Sequence, residues 1–172
     1  MNILNKIKPI EIDGETINVI IEIQKGSKNK YEFDKETGMI KLDRVMHTAQ
    51  DYPFDYGFIP NTLWHDGDPL DVVLLTTYPL MPGVLVEARP VAMVDMIDSG
   101  EGDAKIICVP ATDPRFKEVQ DLKDVNAHML KEIEHFFTTY KTLQNKVVTI
   151  DGMKDKAQAW EAIHQSIALF KK

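Results

Sequence analysis

Over the first two-thirds of the chain, apolar and polar positions follow the two-residue period of β-strands. Ile17 to Ile23 alternates and is rich in Ile and Val. Lys30 to Phe33 puts Lys30 and Glu32 on one face and Tyr31 and Phe33 on the other. Met39 to Val45, Val72 to Thr76, Val84 to Val94 and Lys105 to Val109 are further strands by the same pattern. Gly38, Pro53, Gly57, Pro60, Gly67, Pro69, Pro79, Pro82 and Gly83 punctuate the gaps, and the stretch from Tyr52 to Tyr56 reads as a Pro-containing turn. Short strands at this spacing predict a small barrel or sandwich.

The last third changes period. Met129, Leu130, Ile133, Phe136, Phe137 and Tyr140 recur at helical spacing, and Trp160, Ile163, Ile167 and Phe170 form a second stripe. Asn126 and Asp155 stand where N-caps are needed. Both stripes are core material. Tyr140 falls on the first with its ring packed there, and its hydroxyl can still reach out of the core. Strands followed by helices predict an α+β fold.

No repeat, low-complexity run or linker divides the 172 residues, so one domain spanning 1–172 is expected. With 44% hydrophobic and 27% charged residues, the chain can build a core without a disulfide or metal staple. A metal here would serve chemistry. The net charge of −7 argues against nucleic acid or an anionic membrane surface as partner. The single cysteine, Cys108, sits in an apolar run and is expected in the core. The opening Met1-Asn2-Ile3-Leu4-Asn5-Lys6 has no signal-peptide apolar core, and no stretch approaches a membrane span, so a cytoplasmic location is expected.

The chemistry is concentrated in two acidic loops. Asp66, Asp68 and Asp71 lie within six residues, interrupted by Gly67 and Pro69. Gly allows a tight turn and Pro prevents a helix, leaving a rigid loop that can aim several carboxylates at one point. Hard oxygen ligands on such a loop suit Mg²⁺ or Ca²⁺. An EF-hand is excluded by spacing: counting from Asp66, Asp71 stands where Gly is required and Thr77 where Glu is required. The second loop carries Asp95, Asp98, Glu101 and Asp103 around Ser99-Gly100, a hairpin tip, and Lys105 follows Asp103 on the same side of a strand. Lys30, Arg44, Tyr52, Tyr56, Tyr140 and Lys141 add groups that suit phosphate. Carboxylates and cations converging on one cavity fit the hydrolysis of a compact polyanion such as pyrophosphate by metal-activated water, without a covalent nucleophile. No G-x-S-x-G, P-loop, G-x-G-x-x-G or H-E-x-x-H motif offers another chemistry.

These residues resemble the soluble family I inorganic pyrophosphatases of the short bacterial type, over nearly the whole chain. Asp66-Gly67-Asp68-Pro69-Leu70-Asp71-Val72 looks like that family's D-G-D-P-x-D-V signature. It is accompanied in order by Val19 to Ile23, Lys30-Tyr31-Glu32, Asp43-Arg44, Tyr52-Pro53 through Tyr56-Gly57, Asp98 through Lys105, and His135-Phe136-Phe137 through Tyr140-Lys141. The resemblance implies an OB-like five-stranded barrel with two main C-terminal helices against it. It implies metal ligation by Asp66, Asp71 and Asp103, with Asp71 shared between two ions and Asp98 joining as more Mg²⁺ arrives. Glu22 and Glu32 would be outer or additional metal carboxylates. Lys30, Arg44, Tyr56, Lys105, Tyr140 and Lys141 would contact phosphate, with Lys30, Arg44 and Tyr56 counted among the catalytic groups. Asp68 would accept a proton from the attacking water, and Tyr52 would be a hydrogen-bonding partner. Mn²⁺ or Zn²⁺ would substitute for Mg²⁺, Ca²⁺ would inhibit, and the assembly would be a homohexamer, a dimer of trimers. Asp55 departs from the pattern, standing where Asn is often found, and is expected to add negative charge near the pocket.

Two other readings compete. An OB-type module for nucleotides or single-stranded nucleic acid would need exposed aromatics interleaved with Lys and Arg, whereas the aromatics here fall on apolar stripes. An inactive relative that only binds Mg²⁺ or phosphate would be expected to have lost usable side chains at the candidate positions, and all of them are present.

Overall fold

The structure is a computed structural model that describes residues 3–11 and 13–171. Met1 and Asn2 of the opening stretch, and residues 12 and 172 of the expected domain, lie outside the described residues. The strands are β1 (Ile17–Ile23), β2 (Asn29–Asp34), β3 (Met39–Val45), β4 (Asp55–Phe58), β5 (Asp71–Leu74), β6 (Leu85–Asp98), β7 (Glu101–Gly102), β8 (Lys105–Pro110) and β9 (Val148–Lys154). The helices are α1 (Ala127–Thr139) and α2 (Lys156–Phe170).

Five strands close into a barrel in the order β1-β4-β5-β8-β6, and β6 pairs back onto β1. All of these pairings are antiparallel except β5 with β8, which is parallel and sets Asp71 beside Lys105. β6 is long enough to serve several partners. It pairs with β1 and β8 along its first part, and with β9 from Met93 to Asp98. Register on β8 shifts between Pro90 and Ala92, where proline has no amide to give the ladder. β2 and β3 form a separate two-stranded sheet, a hairpin standing off the barrel.

The expected barrel and two helices are therefore present. The turn read at residues 52–56 is corrected: from Asp55 onward it is a barrel strand. Gly57 is there because β1 and β4 approach closely. A Cβ at this position would lie 1.9 Å from the Ile20 carbonyl oxygen. β9 was also hidden, being a strand between two helical stripes, broken at Gly152 by a φ of +116°.

The barrel strands are buried on both faces. Val73, Ile107 and Val109 join a cluster with Ile133, Phe136 and Phe137 of α1, while Val72, Leu74, Ile106 and Cys108 join one with Ala159, Ala162 and Ile163 of α2. Alternate residues of one strand thus serve different helices. Asn126 caps α1 by accepting from the His128 and Met129 amides, and Asp155 caps α2 through a reciprocal box with Gln158. The aromatic face of α1 packs against Tyr52, Phe54 and Tyr56, with Tyr52 and Phe136 ring centres 4.9 Å apart. This ties the helix to the barrel end that carries the charged residues.

Gly57→Ala must separate β1 from β4 and is expected to cost about 3 kcal/mol or more. Its urea midpoint will fall accordingly. An unchanged midpoint would mean that the strands tolerate a side chain there.

Candidate active site

The acidic loop before β5 is held by its own hydrogen bonds. The Ile59 amide donates to the Leu70 carbonyl at 3.0 Å, closing the loop, and the Thr62 hydroxyl braces it by donating to the Ile59 carbonyl and accepting from the Leu70 amide. Inside it, the Trp64 amide donates to the Asp68 carbonyl at 2.7 Å, and Gly67 turns at φ +87°. Asp66 accepts from the Asp68 amide at 3.0 Å. The Asp68 carboxylate is left 75% exposed, 3.9 Å from the Lys35 ammonium.

Asp71 opens β5 and Lys105 opens β8, so the parallel pairing sets them side by side. Lys105 donates to Asp71 at 2.6 Å and also to Asp103. Tyr56, reaching from β4, donates its hydroxyl to the same Asp71 oxygen at 2.6 Å. The second acidic loop turns through Ser99 and Gly100, both at positive φ, and pairs β6 with β7. On that side Asp98 is ion-paired with Lys141, just past α1, whose ammonium also lies 5.1 Å from the centre of the Tyr140 ring.

The hairpin supplies the opposite wall. Lys30 and Arg44 face each other across β2 and β3. Lys30 pairs with Glu32, and Asp43 lies 3.4 Å from Lys30 and 2.6 Å from Arg44. Arg44 Nε is buried without a protein partner, a donor left over for an anion. Glu22, on β1, accepts from the Phe33 amide at 2.6 Å and so touches the hairpin from the barrel side.

The two loops, the strand ends and the hairpin enclose one cavity of about 250 Å³. Every site residue expected from sequence is in its wall: Glu22, Lys30, Glu32, Arg44, Tyr52, Tyr56, Asp66, Asp68, Asp71, Asp98, Asp103, Lys105, Tyr140 and Lys141. Asp55 is not. Its carboxylate, expected to add negative charge near the pocket, is fully buried among protein donors and is not presented to the cavity. Lys35 in the wall was not singled out from sequence, and Asp43, quoted there only in the Asp43-Arg44 match and given no role, bridges Lys30 and Arg44. Asp43 was within reach, since strand pairing opposite Lys30 puts it next to Arg44.

The wall carries seven carboxylates against five cationic side chains, Lys30, Lys35, Arg44, Lys105 and Lys141. The electrostatics reflect that excess. Burial pushes Glu22 up to about 8, with Asp71 adding to the rise and the Phe33 amide opposing it. Burial also raises Asp103, against the pull of Lys105. For Lys105, burial alone would lower the ammonium, but Asp71 and Asp103 prevail and hold it above the ordinary lysine range. Burial and Asp71 keep the Tyr56 phenol protonated, well above its usual range. At Asp98, burial is overcome by the Lys141 hydrogen bond, and the carboxyl stays below its usual range.

A divalent cation fits this donor set, which is hard oxygen throughout and short of positive charge. Among the described residues, no three of the carboxylates close around a cation as they stand. Lysine ammonium groups pair with several of them instead: Lys105 with Asp71 and Asp103, Lys141 with Asp98, and Lys30 with Glu32.

The sequence matches the family described as inorganic pyrophosphatase over residues 19–171. The chain is 53% identical over 152 residues to an inorganic pyrophosphatase of Leifsonia xyli, covering 88% of this chain and 93% of that protein. It is 47% identical over 163 residues to one from Synechocystis, covering 95% and 96%. The fold matches the crystal structure of the inorganic pyrophosphatase of Thermus thermophilus with a TM-score of 0.92 at 47% identity, covering 96% of this chain and 97% of that one.

The raised Glu22 gives a pH signature to the metal-free protein. A carboxyl whose folded value exceeds its ordinary 4.5 contributes its full stability below 4.5 and loses it as pH rises through about 8. Glu22→Gln keeps an acceptor for the Phe33 amide and removes the titration. In chelator, its melting temperature is expected to exceed the parent's above pH 8 and to converge with it near pH 4.5. A difference that is constant across this range would contradict the assignment.

Proposed function

Because the chain belongs to the inorganic pyrophosphatases and is a hydrolase of inorganic pyrophosphate, we propose that it works with Mg²⁺ and a water nucleophile in the cavity between barrel and hairpin. The observation that carries this reading is the buried Lys105 ammonium lodged between Asp71 and Asp103 at the end of the parallel strand pair. A cation already occupies the most confined part of the site, in the place where a stronger one would be welcome.

Asp66, Asp71 and Asp103 are the proposed metal ligands, Asp71 serving two ions, Asp98 joining at higher Mg²⁺, and Glu22 and Glu32 acting as outer or additional carboxylates. Bound there, Mg²⁺ supplies charge neutralisation and a water of lowered pKa. The side chains do the rest. Asp68, open at the rim, takes the proton of the attacking water as its oxygen joins one phosphorus. The bridging P–O bond breaks, and the electron pair leaves on the second phosphate.

Lys30, Arg44, Tyr56, Lys105, Tyr140 and Lys141 hold the phosphate oxygens and meet the charge that develops on the departing group. Tyr56 and Tyr140 act as neutral donors, consistent with phenols raised above their ordinary range. Tyr52, buried beside Tyr56 at a ring separation of 5.7 Å, supports that wall. Each lysine now paired with a carboxylate, Lys105 with Asp71 and Asp103, Lys141 with Asp98, and Lys30 with Glu32, is released toward phosphate when that carboxylate takes another partner. Loading of carboxylates and loading of phosphate then favour one another.

The proposed setting is the cytoplasm, consistent with no described helix being long and apolar enough to cross a membrane. The proposed assembly is a homohexamer, a dimer of trimers, supported by exposed apolar residues at Met39, Tyr78, Met81 and Leu85. Sedimentation at a mass of a single chain would exclude it.

Phosphate release from pyrophosphate should require Mg²⁺, with Mn²⁺ or Zn²⁺ as substitutes and Ca²⁺ as an inhibitor. Asp71→Ala should lose several orders of magnitude in kcat, because one carboxylate serves two ions. Equal turnover in chelator, or near-parental turnover in Asp71→Ala, would overturn the metal assignment.

A further inference from the structure

Asp55 is an acidic residue completely buried at 0% exposure and outside the cavity wall. Its Oδ1 accepts from the Lys25 amide at 2.8 Å and the Leu80 amide at 3.1 Å, and its Oδ2 accepts from the Thr76 hydroxyl. A buried carboxylate is costly unless its hydrogen bonds are made, so these donors and the carboxylate hold each other in place. The position therefore acts as a joint between three chain segments.

Two of those segments are the roots of the β2–β3 hairpin. Lys25 lies in the connection from β1 into β2. The return from β3 runs through residues 46–54 into β4, which begins at Asp55 itself. The roots are laced together: the Gly26 amide donates to the Tyr52 carbonyl at 2.8 Å, the Tyr52 amide to Ser27 at 3.0 Å, and the Met46 amide to Lys28 at 2.8 Å. Lys30 and Arg44 stand opposite each other immediately beyond this lacing. The hairpin is a sheet of its own, without strand pairing to the barrel; beyond its roots it is held by the Glu22 contact at Phe33 and by the packing of Phe33 on Phe58 and of Tyr31 on the α1-side core, so its roots share in setting its aim.

We infer that Asp55 is a positioning residue for the reaction, mooring the hairpin so that Lys30 and Arg44 meet the phosphates at the right distance from the barrel carboxylates. The inference rests on the reading of Lys30 and Arg44 as phosphate-binding groups. Hydrogen bonding rather than charge does the mooring. Asn at this position keeps one oxygen for the two amides and can turn its NH₂ toward the Thr76 oxygen, whereas Ala leaves three donors unpaired.

The test is steady-state kinetics of the full chain with Mg²⁺, recording KM, kcat and the half-saturating Mg²⁺ concentration for Asp55→Ala, Asp55→Asn, Thr76→Val and Arg44→Ala. Asp55→Ala should raise KM about tenfold or more while shifting half-saturating Mg²⁺ by a clearly smaller factor, because Lys30 and Arg44 move with the hairpin and, of the proposed metal carboxylates, only Glu32 does. Thr76→Val should raise KM about threefold, and Asp55→Asn should stay within about twofold of the parent. A folded Asp55→Ala with parental KM, or with Mg²⁺ saturation shifted as far as KM, overturns the mooring. If Asp55→Ala does not fold, Thr76→Val decides, and a parental KM there overturns it. A raised KM in Arg44→Ala beside a parental KM in Asp55→Ala sinks the mooring alone. An unchanged KM in Arg44→Ala sinks the phosphate reading of the hairpin and this inference with it.

Discussion

The side chain of Lys105 is only 4% exposed, so almost nothing but protein surrounds its ammonium. An isolated charge in that position would be untenable, and the two carboxylates that surround it would repel one another if it were removed. The three residues therefore define each other. Asp71 and Lys105 are set side by side by the parallel pairing of β5 and β8, and Asp103 is delivered two residues before Lys105. The antiparallel pairing of β4 with β5 sets Tyr56 opposite Val73, two residues along from Asp71, and its hydroxyl completes the set on Asp71. Around this cluster the remaining groups are disposed by sheet geometry.

The cavity is built from two bodies with different chemistry. The barrel end presents Asp66, Asp71 and Asp103, while the hairpin presents Lys30 and Arg44 with Glu32. One body is rich in ligands for a cation, and the other leaves a buried guanidinium nitrogen without a partner. A substrate made of two linked phosphates is suited to lie between them. The closest ion pairs lie within each body, Lys105 with Asp71 and Asp103 in the barrel and Lys30 with Glu32 in the hairpin.

Much of this was legible from local pattern. The bounds of β1 and β3 match the alternation that predicts them, and both caps follow from Asn126 and Asp155. The acidic loop could be read as rigid because Gly67 and Pro69 state their own backbone preferences. β4 was not legible. Its four residues follow Pro53 and include Gly57, and the need for glycine comes from the Ile20 carbonyl across the barrel. β9 carries a left-handed break at Gly152 and gains its place by pairing with β6. Asp55 drew notice only as a residue standing where Asn is often found, with its charge expected near the pocket; that its carboxylate lies outside the cavity wall could not be read from that pattern. Its partners, Lys25, Thr76 and Leu80, come from segments far apart in the chain.

The parallel pairing of β5 with β8 has a consequence for how the chain reaches its working form. Parallel neighbours cannot be joined by a tight turn, and here β6 and β7 intervene, setting Asp71 and Lys105 34 positions apart in the chain. No hairpin or helix that forms early can hold the two together, because their proximity is a product of barrel closure. Until the last barrel strand docks, the acidic loop has no internal counter-charge, and its self-repulsion works against compaction. Closure of the sheet and electrostatic completion of the cavity are therefore one event, set at the slow, non-local end of the folding reaction.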